Sequence, residues 1–381
     1  MLASISRKMP AYISMSQGDK MMDSMRLKIN GGGDKKLTAI GYAILAALLY
    51  GISAPVSKLL LVEMPPTLMA ALLYLGAGLG MLGVNLYQVL MKHEKKEAKM
   101  TKKEMPYIVG MILLDIAAPI FLMVGLTLTT SSNASLLNNF EIVATTLIAL
   151  FIFKETIGKR MWLAIILITL SSMLLSLQDV SSLTFSVGSI FVILACISWG
   201  FENNCTRMLS LKDPLQIVVV KGFGSGIGSL IICFAIKEFS FNLIYIALAL
   251  LLGFVAYGMS IYLYIKAQRE LGAARTSAFY ATAPFIGVIV SWIVLKEPIT
   301  WTFMTALFIM LFGTYFAVSE DHKHSHVHWT ETHEHKHNHS DGHHTHRHDQ
   351  EIVGEHSHAH QHEEVEHVHE HLPDLHHRHT H

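Results

Sequence analysis

The chain is 381 residues long, 51% hydrophobic and only 15% charged, and its 29 Lys plus Arg cancel its 29 Asp plus Glu. That composition leaves no basic surface for a nucleic-acid partner. The three cysteines, Cys196, Cys205 and Cys233, lie in apolar runs without metal-type spacing, so they read as buried thiols rather than a disulfide framework. No nucleophile–base pair, phosphate-binding loop or redox motif is present, so an enzyme is not expected.

Residues 1–36 form a Met-rich, basic leader, expected to be disordered and cytoplasmic. It carries no signal peptide, because the apolar stretch after Arg7-Lys8 is too short and is broken by Ser, Gln and Asp. Met21 and Met25 are alternative starts of translation. Beyond the leader, runs of about 18 or more apolar residues predict transmembrane helices. They lie at about 38–61, 67–91, 105–128, 132–153, 160–178, 185–207, 214–236, 243–267, 275–295 and 300–318.

These ten spans contain a repeat. Asn133–Thr156 (NASLLNNFEIVATTLIALFIFKET) and Arg275–Pro298 (RTSAFYATAPFIGVIVSWIVLKEP) align at a constant offset of 142. Tyr50-Gly51, Lys58 and Pro65 match Trp199-Gly200, Arg207 and Pro214 at an offset of 149, and the charged loop at about 92–105 absorbs the difference. Each unit, 37–180 and 181–318, holds five spans. An odd number turns the second unit upside down in the bilayer, the inverted repeat of secondary transporters. With the N-terminus inside, the cytoplasmic segments hold nearly all Lys and Arg, whereas the external ones hold only Lys58, Lys237 and Lys296. The prediction is a multi-pass protein of the cell membrane with both termini in the cytoplasm.

The two units resemble the EamA-type repeat of the drug/metabolite transporter superfamily. The residues that carry the resemblance are the Lys-Glu ends at Lys154-Glu155 and Lys296-Glu297 with the spans before them, and the Pro-initiated second and seventh spans. Trp199-Gly200 followed by Glu202-Asn203-Asn204 adds to it. The resemblance implies an all-α membrane fold of two inverted five-helix repeats, a central cavity lined by both halves, and access that alternates between the two faces. Pro284 keeps the family's proline in the ninth span, whereas Glu141-Ile142 takes its place in the fourth.

Charges inside a bilayer cost about 2.5–3.5 kcal/mol each on insertion scales, which marks them as functional or paired. Asp115 stands one turn before Pro119, whose missing N–H frees a backbone acceptor. Asn138, Glu141 and Thr145 share one face of the fourth span as a polar stripe. Glu141 reads either as a titratable cavity carboxylate or as the partner of Lys221 in an internal ion pair. Glu202, Asn203 and Asn204 are consecutive, so they point about 100° apart and at least one faces the interior. Lys221 sits among Gly222, Gly224, Gly226 and Gly228, which permit close helix approach. Tyr257, Tyr262 and Tyr264 in the eighth span and Tyr280 in the ninth are aromatic candidates, and Tyr280 aligns with Asn138. The candidate substrate contacts are therefore Glu141, Asn138, Asp115, Glu202, Asn203, Tyr280 and Lys221. Glu155 and Glu297 read as helix-end interface residues.

After about residue 319 the chemistry changes. Of 24 histidines, 23 lie in the final segment as alternating runs: His322, His324, His326 and His328; His333, His335, His337 and His339; His343, His344, His346 and His348; and further groups to His381. With almost no apolar content, 319–381 is expected to be disordered. Neutral imidazoles suit Ni, Zn, Co or Cu, so the tail is a candidate metal buffer. No cofactor is required elsewhere. The expected function is secondary transport of a small polar organic metabolite, amino-acid- or amine-like, coupled to protons through Glu141. The alternatives are a divalent Ni, Co or Zn transporter with a metal-buffering tail, and a non-transporting membrane metal sensor.

Overall fold

In a computed structural model the described residues are 37–91, 102–153, 157–179, 184–209, 212–271, 276, 279–319, 323–328, 332–337, 356–361 and 365–370. Nine helices among them are long and apolar enough to cross a bilayer. These are α1 (Leu37–Leu60), α2 (Pro66–Leu90), α3 (Lys102–Leu128), α4 (Ser131–Ile152), α5 (Lys159–Ser176), α6 (Val187–Arg207), α7 (Pro214–Ile236), α8 (Leu243–Ala267) and α10 (Trp301–Val318). The shorter apolar α9 (Ala283–Leu295) completes the set. A short antiparallel pair, β1 (Leu177–Asp179) with β2 (Thr184–Phe185), links the halves.

The polarity is that of a membrane bundle. Large apolar side chains such as Leu113, Ile166, Phe241 and Phe312 face outward, while Ser57, Ser131, Ser171, Ser225 and Ser260 are buried. Small side chains let helices approach closely where no water drives them together. α3 runs along α6, α2 along α7, and α5 along α10. The matched glycines of the repeat do the same work in each half. A Cβ on Gly51 would meet the Ala283 carbonyl of α9 at 2.7 Å, and one on Gly200 would meet Ala144 of α4 at 2.7 Å. Each therefore seats the first helix of one half against the fourth helix of the other.

One expectation needs revision. The fourth and ninth spans are not continuous helices. α4 is helical over Ser131–Leu137, turns at Asn138 and Asn139, and resumes at Phe140. The turn is closed by i→i+3 bonds such as Glu141 N–H to the Asn138 carbonyl, 3.1 Å. The ninth span turns at 281–282 before Pro284 of α9. The interruptions fall at nearly equivalent places in the repeat, where the pattern of apolar residues gives no sign of them. Broken helices in a membrane are tolerated where they line a cavity.

β3 (Lys323–His328) pairs antiparallel with β6 (Val365–Glu370), and β4 (Thr332–His337) pairs with β5 (His356–Gln361). Alternating His-x-His has the two-residue period of a strand. His322, His339, His343, His344, His346 and His348 lie outside the described residues. For His324, His326, His328, His333, His335 and His337 only the backbone pairing is described.

Candidate functional site

The charged residues of the spans meet in one knot. Lys221 of α7 places its ammonium 3.0 Å from Asp115 Oδ2 of α3 and 3.0 Å from Glu202 Oε1 of α6. Tyr74 Oη of α2 donates to Asp115 Oδ1 at 2.8 Å, and Thr206 Oγ1 donates to Glu202 Oε1. The side chains of Asp115 and Glu202 are 0% and 2% exposed, so these charges are shielded from lipid and water alike. Packing sets the geometry. A Cβ at Gly222 would fall 2.5 Å from Gly78 Cα of α2, so the α7 and α2 backbones touch and hold Lys221 against its two carboxylates. One ammonium shared by two carboxylates leaves the knot with an excess of one negative charge.

Glu141 is separate. Asn203 Nδ2 of α6 donates to Glu141 Oε1 at 2.6 Å and lies 3.2 Å from Thr145 Oγ1. Among the described residues no Lys or Arg lies within ion-pair distance of Glu141. The alternative in which Lys221 pairs with Glu141 does not hold, because α3 and the buried face of α6 present nearer carboxylates. The polar stripe is one face, and it meets α6. Asn138 Oδ1 lies 4.0 Å from Cys196 Sγ, while Glu141 and Thr145 share Asn203. Glu202, Asn203 and Asn204 all find partners, since Asn204 Nδ2 donates to the Thr145 and Gly200 carbonyls at 3.2 and 2.8 Å. Three consecutive residues can do this because α6 is packed on several sides.

A cavity of about 10 Å³ opens beside Glu141's helix, lined by Tyr50, Ser53, Leu122, Ser135, Asn138 and Pro284 among others. That is room for about one water. Ser135 Oγ is buried there with no hydrogen-bond partner among the described residues. Tyr280 stacks on Tyr50 with ring centroids 5.6 Å apart, so it reaches the same place. Of the predicted contacts, Asn138 lines the cavity, Tyr280 stacks on the lining Tyr50, Glu141 and Asn203 are bonded to each other, and Asp115, Glu202 and Lys221 are engaged with one another.

Three participants escaped the sequence reading. Tyr50 and Tyr74 were not singled out, although Tyr50 belongs to a matched pair of the repeat. Glu297, expected only to mark a helix end, accepts from Ser131 N–H at 2.7 Å, Ser132 N–H at 2.8 Å and Ser132 Oγ at 2.5 Å. Lys296 just before it has a left-handed backbone, φ 50°, which turns the chain to aim Glu297 at the start of α4. Nearby, Lys58 of α1 donates to the carbonyls of Leu126 and, at 2.8 Å, Thr129 at the end of α3. The α3–α4 turn is therefore gripped at both ends, cation on carbonyls and carboxylate on amides, as the helix dipoles favour. The repeat pairs Lys58 with Arg207 and Glu297 with Glu155. Glu155 lies outside the described residues.

Among the described residues no group of three or more His, Cys, Asp or Glu is gathered to hold a metal ion. The profile of the EamA-like transporter family matches residues 37–177 and 186–319. An uncharacterized transporter of Methanothermobacter thermautotrophicus is 27% identical over 288 residues, 71% of this chain and 83% of that protein. The uncharacterized transporter YyaM of Bacillus subtilis is 23% identical over 209 residues, 52% of this chain and 68% of that protein. Protein LicB of Haemophilus influenzae is 28% identical over 159 residues, 40% of this chain and 54% of that protein. One crystal structure of a protein superposes with a TM-score of 0.53 at 15% identity, covering 74% of this chain and 96% of that one, a likeness of fold.

Proposed function

The chain belongs to the EamA-like transporter family, and from that premise we propose that it carries a small polar, amine-bearing organic solute by alternating access, in exchange with protons. The observation that carries this reading is Glu141, a carboxylate inside the bundle held by an amide and with no cation within ion-pair distance among the described residues. Such a group binds either a proton or a cationic solute, and competition between the two couples their movements. With Asp115, Glu141 and Glu202 facing Lys221 alone among the described residues of these spans, the region disfavours anionic solutes. The excess of Lys and Arg on one side supports cytoplasmic termini.

The test is flux. Purified protein in liposomes is given a pH gradient and a panel of amines and amino acids. Accumulation of an amine against its own gradient, driven by protons, is expected; no movement of any solute overturns the reading.

The grip of Glu297 and Lys58 on the α3–α4 turn supports a closed outer face. Glu297→Gln removes a charge from hydrogen bonds worth roughly 1.5–3 kcal/mol each. The outer face is then expected to open more often. An impermeant maleimide added outside should label a cysteine at Ser135 about tenfold faster in the Glu297→Gln background. An unchanged rate removes Glu297 from gating.

The tail is read as a cytoplasmic buffer for divalent metals. Its alternating His-x-His runs supply many neutral imidazoles, which suit such ions. Removing 320–381 is expected to abolish nickel binding in titration calorimetry and to leave solute flux intact. Loss of flux would make the tail part of the transport path.

A further inference from the structure

We infer that the water-sized cavity between α1, α4 and α9 is a seat for one dehydrated sodium ion, independent of the solute and of proton exchange at Glu141. Three interruptions of regular backbone converge there. In α1, Pro55 has no N–H to give the carbonyl of Gly51 one turn earlier. In α4, the Asn139 N–H bonds the Leu136 carbonyl at 3.2 Å, so the Ser135 carbonyl goes without it. In the ninth span, Pro284 withholds an N–H from the Tyr280 carbonyl in the same way. Gly51, Ser135 and Pro284 all line the cavity. A Cβ on Gly287 of α9 would meet Ser135 Oγ at 2.6 Å and the Gly51 carbonyl at 2.9 Å. These two oxygens therefore converge from α1 and α4 on one spot.

The lining side chains add acceptors. Ser135 Oγ is buried with no hydrogen-bond partner among the described residues. Asn138 Oδ1 meets the Cys196 thiol only at 4.0 Å. Ser53 Oγ donates its proton to Tyr257 Oη at 3.3 Å and keeps its lone pairs. Among the described residues no Lys or Arg lines the cavity, so this wall of oxygens suits a cation. The first segment of α4 ends at Leu137, which brings the negative end of its dipole to the same place. Freed carbonyls and half-helix C-terminal ends are the groups that coordinate sodium where transporter helices are broken. Glu141, one turn beyond Asn138 on the same face, adds its charge to the pull. Room and ligand type select the ion. The cavity admits about one water, which is too little for potassium or for any ion that keeps its hydration shell. Calcium and magnesium are normally held through carboxylates, and among the described residues none lines this wall. Since α1 and α4 belong to the first half and α9 to the second, a bound ion ties the halves together at their contact.

The test titrates the full purified chain in detergent with NaCl, KCl making up a constant ionic strength. A saturable rise of roughly 3–6 °C in the thermal midpoint is expected, with radioactive sodium retained at about one ion per chain. Ser135→Ala should raise the sodium concentration needed about tenfold or more. Its sodium-free midpoint should match or exceed that of the parent, because no hydrogen bond is lost. Pro55→Ala returns a donor to the Gly51 carbonyl and should weaken sodium binding in the same way. If Ser135→Ala fails to fold, Pro55→Ala decides. A midpoint indifferent to the exchange of potassium for sodium overturns the seat and leaves the cavity to a water. So does a rise that persists undiminished in both variants, since the ion then binds elsewhere. Sodium binding that holds while no amine moves in the flux assay sinks the amine reading and keeps the seat.

Discussion

Replacing Lys221 with Met is expected to leave little folded protein, and adding Asp115→Asn and Glu202→Gln to the same chain is expected to bring it back. In the parent the ammonium sits 3.0 Å from each carboxylate, and neither carboxylate has water to replace it. Removing one partner of a buried ion pair costs about 3–5 kcal/mol, because the charge left behind stays desolvated. Here two like charges are left behind, so the cost falls at the upper end of that range. The triple variant removes the cause, and neutral groups of similar shape in place of a buried ion cluster are often tolerated or stabilising. The measurements are the fraction recovered as a single gel-filtration peak after detergent extraction and the thermal midpoint of that peak. A Lys221→Met protein that folds and melts like the parent but no longer moves solute would turn Lys221 from a tie between helices into a solute contact. The triple variant also asks whether the knot is needed for flux. Restored folding with restored transport assigns it to the frame.

The second large effect is on coupling. One proton exchanged per solute lets a pH gradient of one unit support about tenfold accumulation, since one unit is worth about 1.36 kcal/mol. Glu141→Gln is expected to collapse that ratio to one while leaving solute-for-solute exchange measurable. The fold should survive, because a Gln carbonyl at 141 still accepts the Asn203 amide and no ion pair is broken. Proteoliposomes with a fixed one-unit gradient report the ratio directly. Persisting accumulation would sink the coupling role of Glu141. Asn203→Ala is the companion variant: it removes the group that holds Glu141 in place, and is expected to lower flux without abolishing the pH response.

The two effects separate charges that look alike along the chain. Asp115, Glu141, Glu202 and Lys221 are each a lone ionisable residue in an apolar run, and the cost of placing any of them in lipid is similar. Nothing in linear spacing says which carboxylate the lysine meets, because the partners lie on α3, α6 and α7, which are far apart in sequence. The same holds for the tyrosines. Tyr50 carries no mark of a site in the sequence until α1 brings its ring within 5.6 Å of Tyr280.

The Lys-Glu ends were legible as a repeat but not as a grip. Glu297 reaches the amides of Ser131 and Ser132 across 166 and 165 positions, a contact that depends on α9 ending beside the start of α4. The helix breaks at Asn138–Asn139 and at 281–282 also escaped, since an apolar run gives the same signal whether its backbone bonds are i→i+4 throughout or interrupted by one turn.

The sequence by itself determined the membrane class, the ten spans, the duplication, and the residues too polar to face lipid. Each of these follows from local composition or from similarity at fixed offsets, and the bilayer makes such signals strong by leaving the backbone few ways to satisfy itself. Only the tertiary structure decided which charges neutralise each other and which one is left alone. It also decided which aromatic rings meet and which helix end holds which turn. Those are pairings between helices, set by where small residues let backbones touch, and a contact between distant segments has no trace in either segment alone.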